Sequence, residues 1–190
     1  MIIVLLGPPG AGKGTQAKKI CQSKELFHFS TGDILRNEVK QKSSIGQKIE
    51  SIINAGKLVS NDIILSIVEK IISEEPLGNK GILFDGFPRN MDQANLFERL
   101  LEKKEKKIDL VLHLQIEKDE IIKRIKKRQA EENREDDSIE VLKSRIDVYL
   151  QETTPLIDLY KKQNILKTLN GTQSIEDVSN DMNKSFDEIN

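Results

Sequence analysis

The residues best suited to chemistry come first in the chain. The run Gly7-Pro8-Pro9-Gly10-Ala11-Gly12-Lys13-Gly14-Thr15 sets four glycines, a lysine and a hydroxyl close together. With little side chain in the way, the amides of Gly10, Gly12 and Gly14 can turn inward on an anion, and a helix beginning there adds its positive end. Lys13 supplies a mobile positive charge for outer phosphates, and Thr15 a hydroxyl near a magnesium ion. Against the P-loop spacing, Gly7, Gly12 and Lys13 fit, Gly14 stands where Ser or Thr is expected, and the hydroxyl comes one residue later. A lysine inside such a turn serves no packing purpose, so a phosphate cradle is favoured over a plain connection.

Asp85 closes the apolar run Gly81 to Phe84 and precedes Gly86-Phe87-Pro88-Arg89. A carboxylate at the end of a buried strand is costly unless a cation faces it, and beside a P-loop that cation is magnesium. Asp85 is then Walker-B-like, with capping of the next turn as the alternative. Only seven of the 30 Lys and Arg residues are Arg, so the surface is solvated by Lys and Arg is kept for places where its planar fork matters. Arg36, Arg89, Arg124, Arg128, Arg134 and Arg145 lie in or beside segments that reach the mouth of the strands, where ligands bind in α/β sheets. One triphosphate does not need so many; two phosphorylated ligands brought face to face do. His28 and His113 sit in apolar stretches and read as hydrogen-bonded structural residues, and Asp33 is a weak candidate base. An alcohol acceptor needs a base. A phosphate monoester, with a second pKa of about 6, is already a dianion and does not. Catalysis then reduces to positioning and charge stabilisation.

The elements that must position these groups follow from periodicity. Ile2 to Leu6 reads as a buried strand and Thr15 to Gln22 as the helix after the loop. Next come a strand over 27–30, a helix over 32–41 capped by Ser30 or Thr31, and a helix over 45–55 stopped by Gly56. The spacing of Ile45, Ile49, Ile52 and Ile53 makes that third helix a layer on the core and not itself a site. An extended link at 57–59 leads to a helix capped by Ser60 or Asn61 and running to about Ser73, a turn at 76–80 and the strand from Gly81. Helix 93–101, strand 109–116 and helix 118–128 follow, with Arg124 and Arg128 four apart on one face. Residues 129–137 are polar and read as a mobile loop. Helices 138–152 and 155–163, a strand at 165–169 and a closing helix at 174–189 complete the chain. The alternation predicts an α/β fold, about five parallel strands with helices on both faces.

Composition narrows the classes. At 190 residues and 37% hydrophobic content the chain supports one core and reads as a single domain, 1–190. A net charge of −1 argues against nucleic-acid or membrane binding through charge. The single cysteine, Cys21, excludes an internal disulfide and a Cys-rich zinc site. The N-terminal apolar run is too short for a signal peptide or a membrane span, so a cytoplasmic location is expected.

Several stretches together resemble the adenylate kinases over nearly the full length: GPPGAGKGTQ at 7–16, STGDILR at 30–36, GKLV at 56–59, DGFPRNMDQA at 85–94, Arg124 and Arg128, REDD at 134–137, and Arg145. The resemblance implies a P-loop NTPase-type three-layer sandwich with an AMP-binding helical insert at 30–59 and a short lid at 128–138. It implies transfer of the terminal phosphoryl group of ATP to AMP with magnesium, giving two ADP, by a monomer. Gly10, Ala11, Gly12, Lys13, Gly14 and Thr15 are then the ATP phosphate site, with Arg124 and Arg128 closing on it and the Gln173 carbonyl on the adenine. Thr31, Arg36, Lys57, Leu58, Val59, Gly86, Phe87, Pro88, Arg89 and Gln93 correspond to the AMP site. In it Gln93 reads the adenine edge, and Arg36 and Arg89 grip the phosphate. Arg134 and Arg145 resemble further arginines near the AMP phosphate and the transferred group. Lys13, Arg89, Arg124, Arg134 and Arg145 are the implied catalytic set, and Thr15 and Asp85 the implied magnesium residues, through water. Arg99 alone of the arginines falls outside. Two features depart from the pattern. The lid is the short kind, and Asn90 stands where adenylate kinases often have Thr and the related UMP/CMP kinases Asn. A UMP/CMP kinase is therefore the alternative, and a nucleotide-hydrolysing switch a more distant one.

Overall fold

The computed structural model describes residues 1–74, 80–132 and 138–189, with backbone alone for 74, 118, 127–132 and 139. Five parallel strands, β1 (Ile2–Leu6), β2 (Leu26–Ser30), β3 (Gly81–Asp85), β4 (Leu110–Gln115) and β5 (Leu166–Asn170), pair in the order β2-β3-β1-β4-β5. Strand β1 lies at the centre, Val4 opposite both Phe84 and Val111. All five of its residues are buried. That is the consequence of an unbroken apolar run in a parallel sheet covered on both faces.

Because side chains alternate along a strand, β1 divides its residues between two cores. Ile2, Val4 and Leu6 join the larger cluster, which is covered by α2 (Thr31–Lys40), α3 (Ser44–Asn54), α4 (Asn61–Glu74), α5 (Met91–Glu102) and α8 (Pro155–Lys162). Ile3 and Leu5 join the other, covered by α1 (Lys13–Lys24) and α9 (Ile175–Asp187). A satellite of Ile121, Ile125, Leu142 and Ile146 joins α6 (Lys118–Glu132) to α7 (Ile139–Val148). The expected helix–sheet–helix sandwich is the structure found. The aromatic content of 4% is concentrated: Phe29, Phe84, Phe87 and Phe97 pack together, with Phe84 and Phe97 ring centroids 4.9 Å apart. This cluster fixes the start of the loop that follows β3.

Two differences from the sequence expectation have physical causes. Helix α1 begins at Lys13, ahead of the expected Thr15, because Gly12 with φ of 88° serves as the left-handed residue from which the helix starts. The helices expected at 138–152 and 155–163 are not separated by a break. They are joined by a π-helical turn at Tyr149–Thr153, in which the Thr154 amide reaches back to the Tyr149 carbonyl at 2.9 Å. Pro155 has no N–H to continue an α-helical ladder, and the wider turn lets the chain pass it without a break. The expected turn at 76–80 lies largely outside the described residues, whereas of the loop expected at 129–137 residues 129–132 are instead the last turn of α6, and 133–137 lie outside the described residues.

Candidate active site

The P-loop sits where β1 ends. Gly10 and Gly12 have φ of 82° and 88°, a region side chains disfavour, and their turn carries the chain from the strand into α1. Lys13 reaches back across this loop, its ammonium donating to the carbonyls of Gly7 at 2.7 Å and Pro8 at 3.0 Å. Arg124, on α6, faces the same loop. Its Nη1 lies 3.7 Å from where a Cβ on Gly12 would stand, and its Nε donates to Glu120 at 2.9 Å. That hydrogen bond holds the Glu120 carboxyl below its usual range, so the arginine arrives with an ionised carrier. The turn carrying Gln173 lies behind the loop, since a Cβ on Gly171 would stand 3.6 Å from the Ala11 carbonyl oxygen. The side chain of Arg128 and all of Arg134 lie outside the described residues, as do residues 133–137 of the segment expected as a lid, whose first residues are the end of α6.

Asp85 ends β3 beside β1, only 8% exposed, its Oδ2 3.8 Å from where a Cβ on Gly14 would stand. The carboxylate therefore faces the first turn of α1, near the exposed Thr15. Among the described residues no three of His, Cys, Asp and Glu gather as a metal cage. A single carboxylate and a hydroxyl suit magnesium, which takes most of its oxygens from phosphate and water. His28 is corrected by its surroundings: its Nε2 lies 3.5 Å from Asp85 Oδ2 without the alignment of a hydrogen bond, so it belongs to the rim of this site.

Beside the P-loop opens a second pocket. Thr31 and Arg36 line it from α2, Lys57, Leu58 and Val59 from the α3–α4 link, and Gly86, Arg89 and Gln93 from the segment after β3, while Arg145 enters from α7. Local hydrogen bonds set Thr31 and Arg89. Ser30 caps α2 and aligns Thr31, whose hydroxyl donates to the Gly86 carbonyl at 2.8 Å. Arg89 is held three times. Its Nε donates to Gly86 O at 2.7 Å, its amide to Gln93 Oε1 at 2.8 Å, and its carbonyl accepts from Thr153 at 2.6 Å. The π-helical turn thus serves the site by placing Thr153. Phe87, fully buried in the aromatic cluster, and Pro88, buried too, are expected in the AMP site but do not line the pocket.

Several residues were not legible as site residues. Leu35, Ile53 and Ile64 supply the apolar wall of the pocket, so α3, expected to be only a layer on the core, contributes to it. Helical apolar spacing does not distinguish a pocket wall from a core. Asn90, the expected pointer to a pyrimidine acceptor, caps α5, its Oδ1 accepting from the Gln93 amide at 2.8 Å. Ser, Thr, Asp and Asn all do this at a helix start, so the residue carries no information on the base.

The candidate base is also resolved. Asp33 pairs with Arg36 at 2.6 Å. Burial raises its carboxyl, but the hydrogen bond and charge of Arg36, with the Ser30 hydroxyl and the His28 charge, outweigh this and hold it below the usual range. A carboxylate so stabilised is a poor proton acceptor. His113 is buried, its Nε2 3.2 Å from the Tyr149 hydroxyl, and burial together with the Lys13 charge lowers its pKa. The folded state thus keeps His113 neutral where an unfolded chain takes up a proton. Its contribution to stability is full above the ordinary histidine value and is lost as the pH falls from there toward the lowered folded value. Urea unfolding of His113→Gln should accordingly lose less stability than the parent between about pH 7.5 and about pH 5. Equal losses would remove His113 as a source of acid sensitivity.

The chain that carries this glycine loop and this cation-lined pocket, at the ends of the neighbouring strands β1 and β3, has relatives along nearly its whole length. The family model described as adenylate kinase matches residues 5–165. An adenylate kinase of the cyanobacterium Prochlorococcus marinus (strain SARG) is 47% identical over 177 residues, covering 93% of each chain. One from Synechococcus sp. (strain WH7803) is 39% identical over 184 residues, covering 97% of each. One from Chloroherpeton thalassium (strain ATCC 35110 / GB-78) is 38% identical over an alignment of 216 positions, covering all of this chain and 97% of its own. The match of the family model over residues 5–165 and likeness to these relatives along nearly its whole length make this chain a member of the adenylate kinase family.

Proposed function

We propose that the chain catalyses ATP + AMP ⇌ 2 ADP by direct transfer of the terminal phosphoryl group of magnesium-bound ATP, and so balances adenine nucleotides. The observation that carries this reading is the presence of two cationic sites at the ends of the neighbouring strands β1 and β3, Lys13 and Arg124 at the P-loop and a pocket lined by Arg36, Arg89 and Arg145. A hydrolysing switch has no use for a second cationic pocket. The AMP phosphate attacks as a dianion and needs no base, in keeping with an Asp33 already committed to Arg36. Lys13, Arg124 and, by family resemblance, Arg128 and Arg134 stabilise charge on the transferring group, while Arg36, Arg89 and Arg145 hold the acceptor phosphate in line. Thr15 and Asp85 hold magnesium through water; when bound, it neutralises phosphate charge. The Gln173 carbonyl is assigned to the ATP adenine and the Gln93 amide to the AMP adenine. The insert at 30–59 and the short lid at 128–138 close over the two nucleotides and limit access of water. The working form in this reading is a cytoplasmic monomer. Among the described residues no helix is long and apolar enough to cross a membrane.

A coupled assay of ADP formation, with AMP, UMP, CMP and GMP as separate acceptors and ATP alone, tests the reaction. Fast turnover restricted to AMP is expected. Turnover with UMP or CMP instead, or hydrolysis without an acceptor, would overturn it. Arg89→Lys tests the acceptor site. The guanidinium uses Nε to hold Gly86 O and presents the rest of a planar fork to the pocket. A lysine keeps the charge but cannot do both, so the KM for AMP should rise about tenfold or more, with that for ATP little changed. An unchanged KM for AMP would count against the site.

A further inference from the structure

The pocket side chain assigned to reading the base is itself held by neighbours of which two, Asn61 and Asn90, do not line the pocket. Gln93 is 2% exposed, and its carboxamide lies between the Arg89 amide, which donates to Oε1 at 2.8 Å, and Asn61, whose Oδ1 accepts from Nε2 at 3.0 Å. Asn61 opens α4, 32 residues earlier in the chain. Its Oδ1 also faces Asn90 Nδ2 at 3.5 Å, and Asn90 Oδ1 accepts from the Gln93 amide at 2.8 Å.

The polarity of all three amides follows from two backbone groups. A backbone N–H only donates. The Arg89 N–H therefore requires the oxygen of Gln93 beside it, which turns Nε2 toward Asn61. The Gln93 N–H requires the oxygen of Asn90, which turns Nδ2 toward Asn61. Both neighbours then present donors, and Asn61 must answer with its oxygen. If the Gln93 amide were reversed, Nε2 would meet the Arg89 N–H and Oε1 would meet the Asn61 oxygen. Turning Asn61 to relieve the second conflict would set its Nδ2 against that of Asn90. Each such mismatch sets like groups against each other around the buried Gln93 amide, with Asn61 and Asn90 only partly exposed to water.

Resting on the assignment of Gln93 as reader of the acceptor base, we infer that Asn61 is a positioning residue that, together with the Arg89 amide, holds the Gln93 amide in the orientation for a 6-aminopurine and against a 6-oxopurine. Adenine offers a donor at its 6-amino group and an acceptor at N1, which meet a fixed Oε1 and Nε2–H. A 6-oxopurine presents the reverse pair, an acceptor at O6 and a donor at N1. It could be read equally well only by a reversed amide, which Asn61 together with the Arg89 amide prevents. A site built around buried hydrogen-bonding groups discriminates strongly when those groups are left without partners.

The test measures kcat and KM for AMP and for IMP with saturating Mg·ATP, in the parent and in Asn61→Leu, Asn61→Ala, Asn61→Asp and Gln93→Leu. The preference for AMP over IMP in kcat/KM should fall about tenfold in the Leu and Ala variants, chiefly through KM, with a smaller change in kcat. Asn61→Asp keeps an acceptor for both neighbours and cannot turn a donor toward them, so it should keep the parental preference. An intact preference in both Leu and Ala variants, lost only in Gln93→Leu, would overturn the positioning role and leave the base reader standing. A preference untouched by Gln93→Leu would overturn the base reading and this inference with it. Loss in Asn61→Asp equal to that in Asn61→Leu, or an equal decline for AMP and IMP, would mark a merely structural tie between α4 and α5.

Discussion

Lys13→Met should reduce kcat by about a hundredfold to a thousandfold, with a smaller change in the KM for ATP. Methionine is close to lysine in length and keeps the apolar stem, so the substitution isolates the ammonium. That ammonium rests on the carbonyls of Gly7 and Pro8, which hold it at the mouth of the loop. A flexible point charge can move from there with the phosphoryl group, and its attraction grows as charge shifts toward the ADP oxygens. An interaction stronger in the transition state than in the ground state appears in kcat. Steady-state kinetics, with circular dichroism to confirm folding, checks the outcome. A kcat within tenfold of the parent would remove Lys13 from the chemical step.

Gly46→Ala should lower the thermal midpoint by several degrees and raise the KM for AMP about tenfold, leaving the KM for ATP nearly unchanged. Taken as an exposed helix position, the change stabilises by about 1 kcal/mol, because alanine is the better helix former. The tertiary structure reverses the sign. A Cβ on Gly46 would stand 2.1 Å from the Glu38 carbonyl oxygen and 2.8 Å from the Val39 nitrogen. These are backbone atoms of α2, and the Glu38 carbonyl is already tied to the Ser43 amide at 3.2 Å, so the neighbour has little room to give. Helices α2 and α3 must separate, and overpacking of this kind costs about 1–3 kcal/mol or more. Helix α2 carries Thr31 and Arg36, and α3 carries Ile53, so the acceptor pocket is displaced while the P-loop is not. Thermal unfolding and substrate kinetics check both halves; a raised midpoint with an unchanged KM for AMP would sink the argument.

Much of the fold was legible because its signals are local. The apolar run Ile2 to Leu6, the glycine turn after it and the capping residues Ser30 and Gly56 each act within a few residues, and the structure follows them with shifts of one or two positions at element ends. Arg124, Asp85 and the DGFPR segment were also readable, since strand ends in a parallel sheet point to one edge. The joined helices through the π-helical turn were not, because the widening at Tyr149–Thr153 is seen in the ladder and not in composition.

By itself, the sequence determined that this protein has a glycine-rich turn of P-loop type, a parallel sheet to carry it, and a set of arginines beside the strand ends. Which groups meet was decided only by the tertiary structure. Pairing of β2 with β3 brings His28 toward Asp85, and docking of α4 against α5 brings Asn61 to Gln93. The wall of Leu35, Ile53 and Ile64 and the forbidden methyl at Gly46 likewise arise between elements. Local backbone chemistry is written over a few neighbouring residues. Contacts between distant segments depend on how whole elements pack, and a hydrophobic period marks the face that is buried without naming what it is buried against.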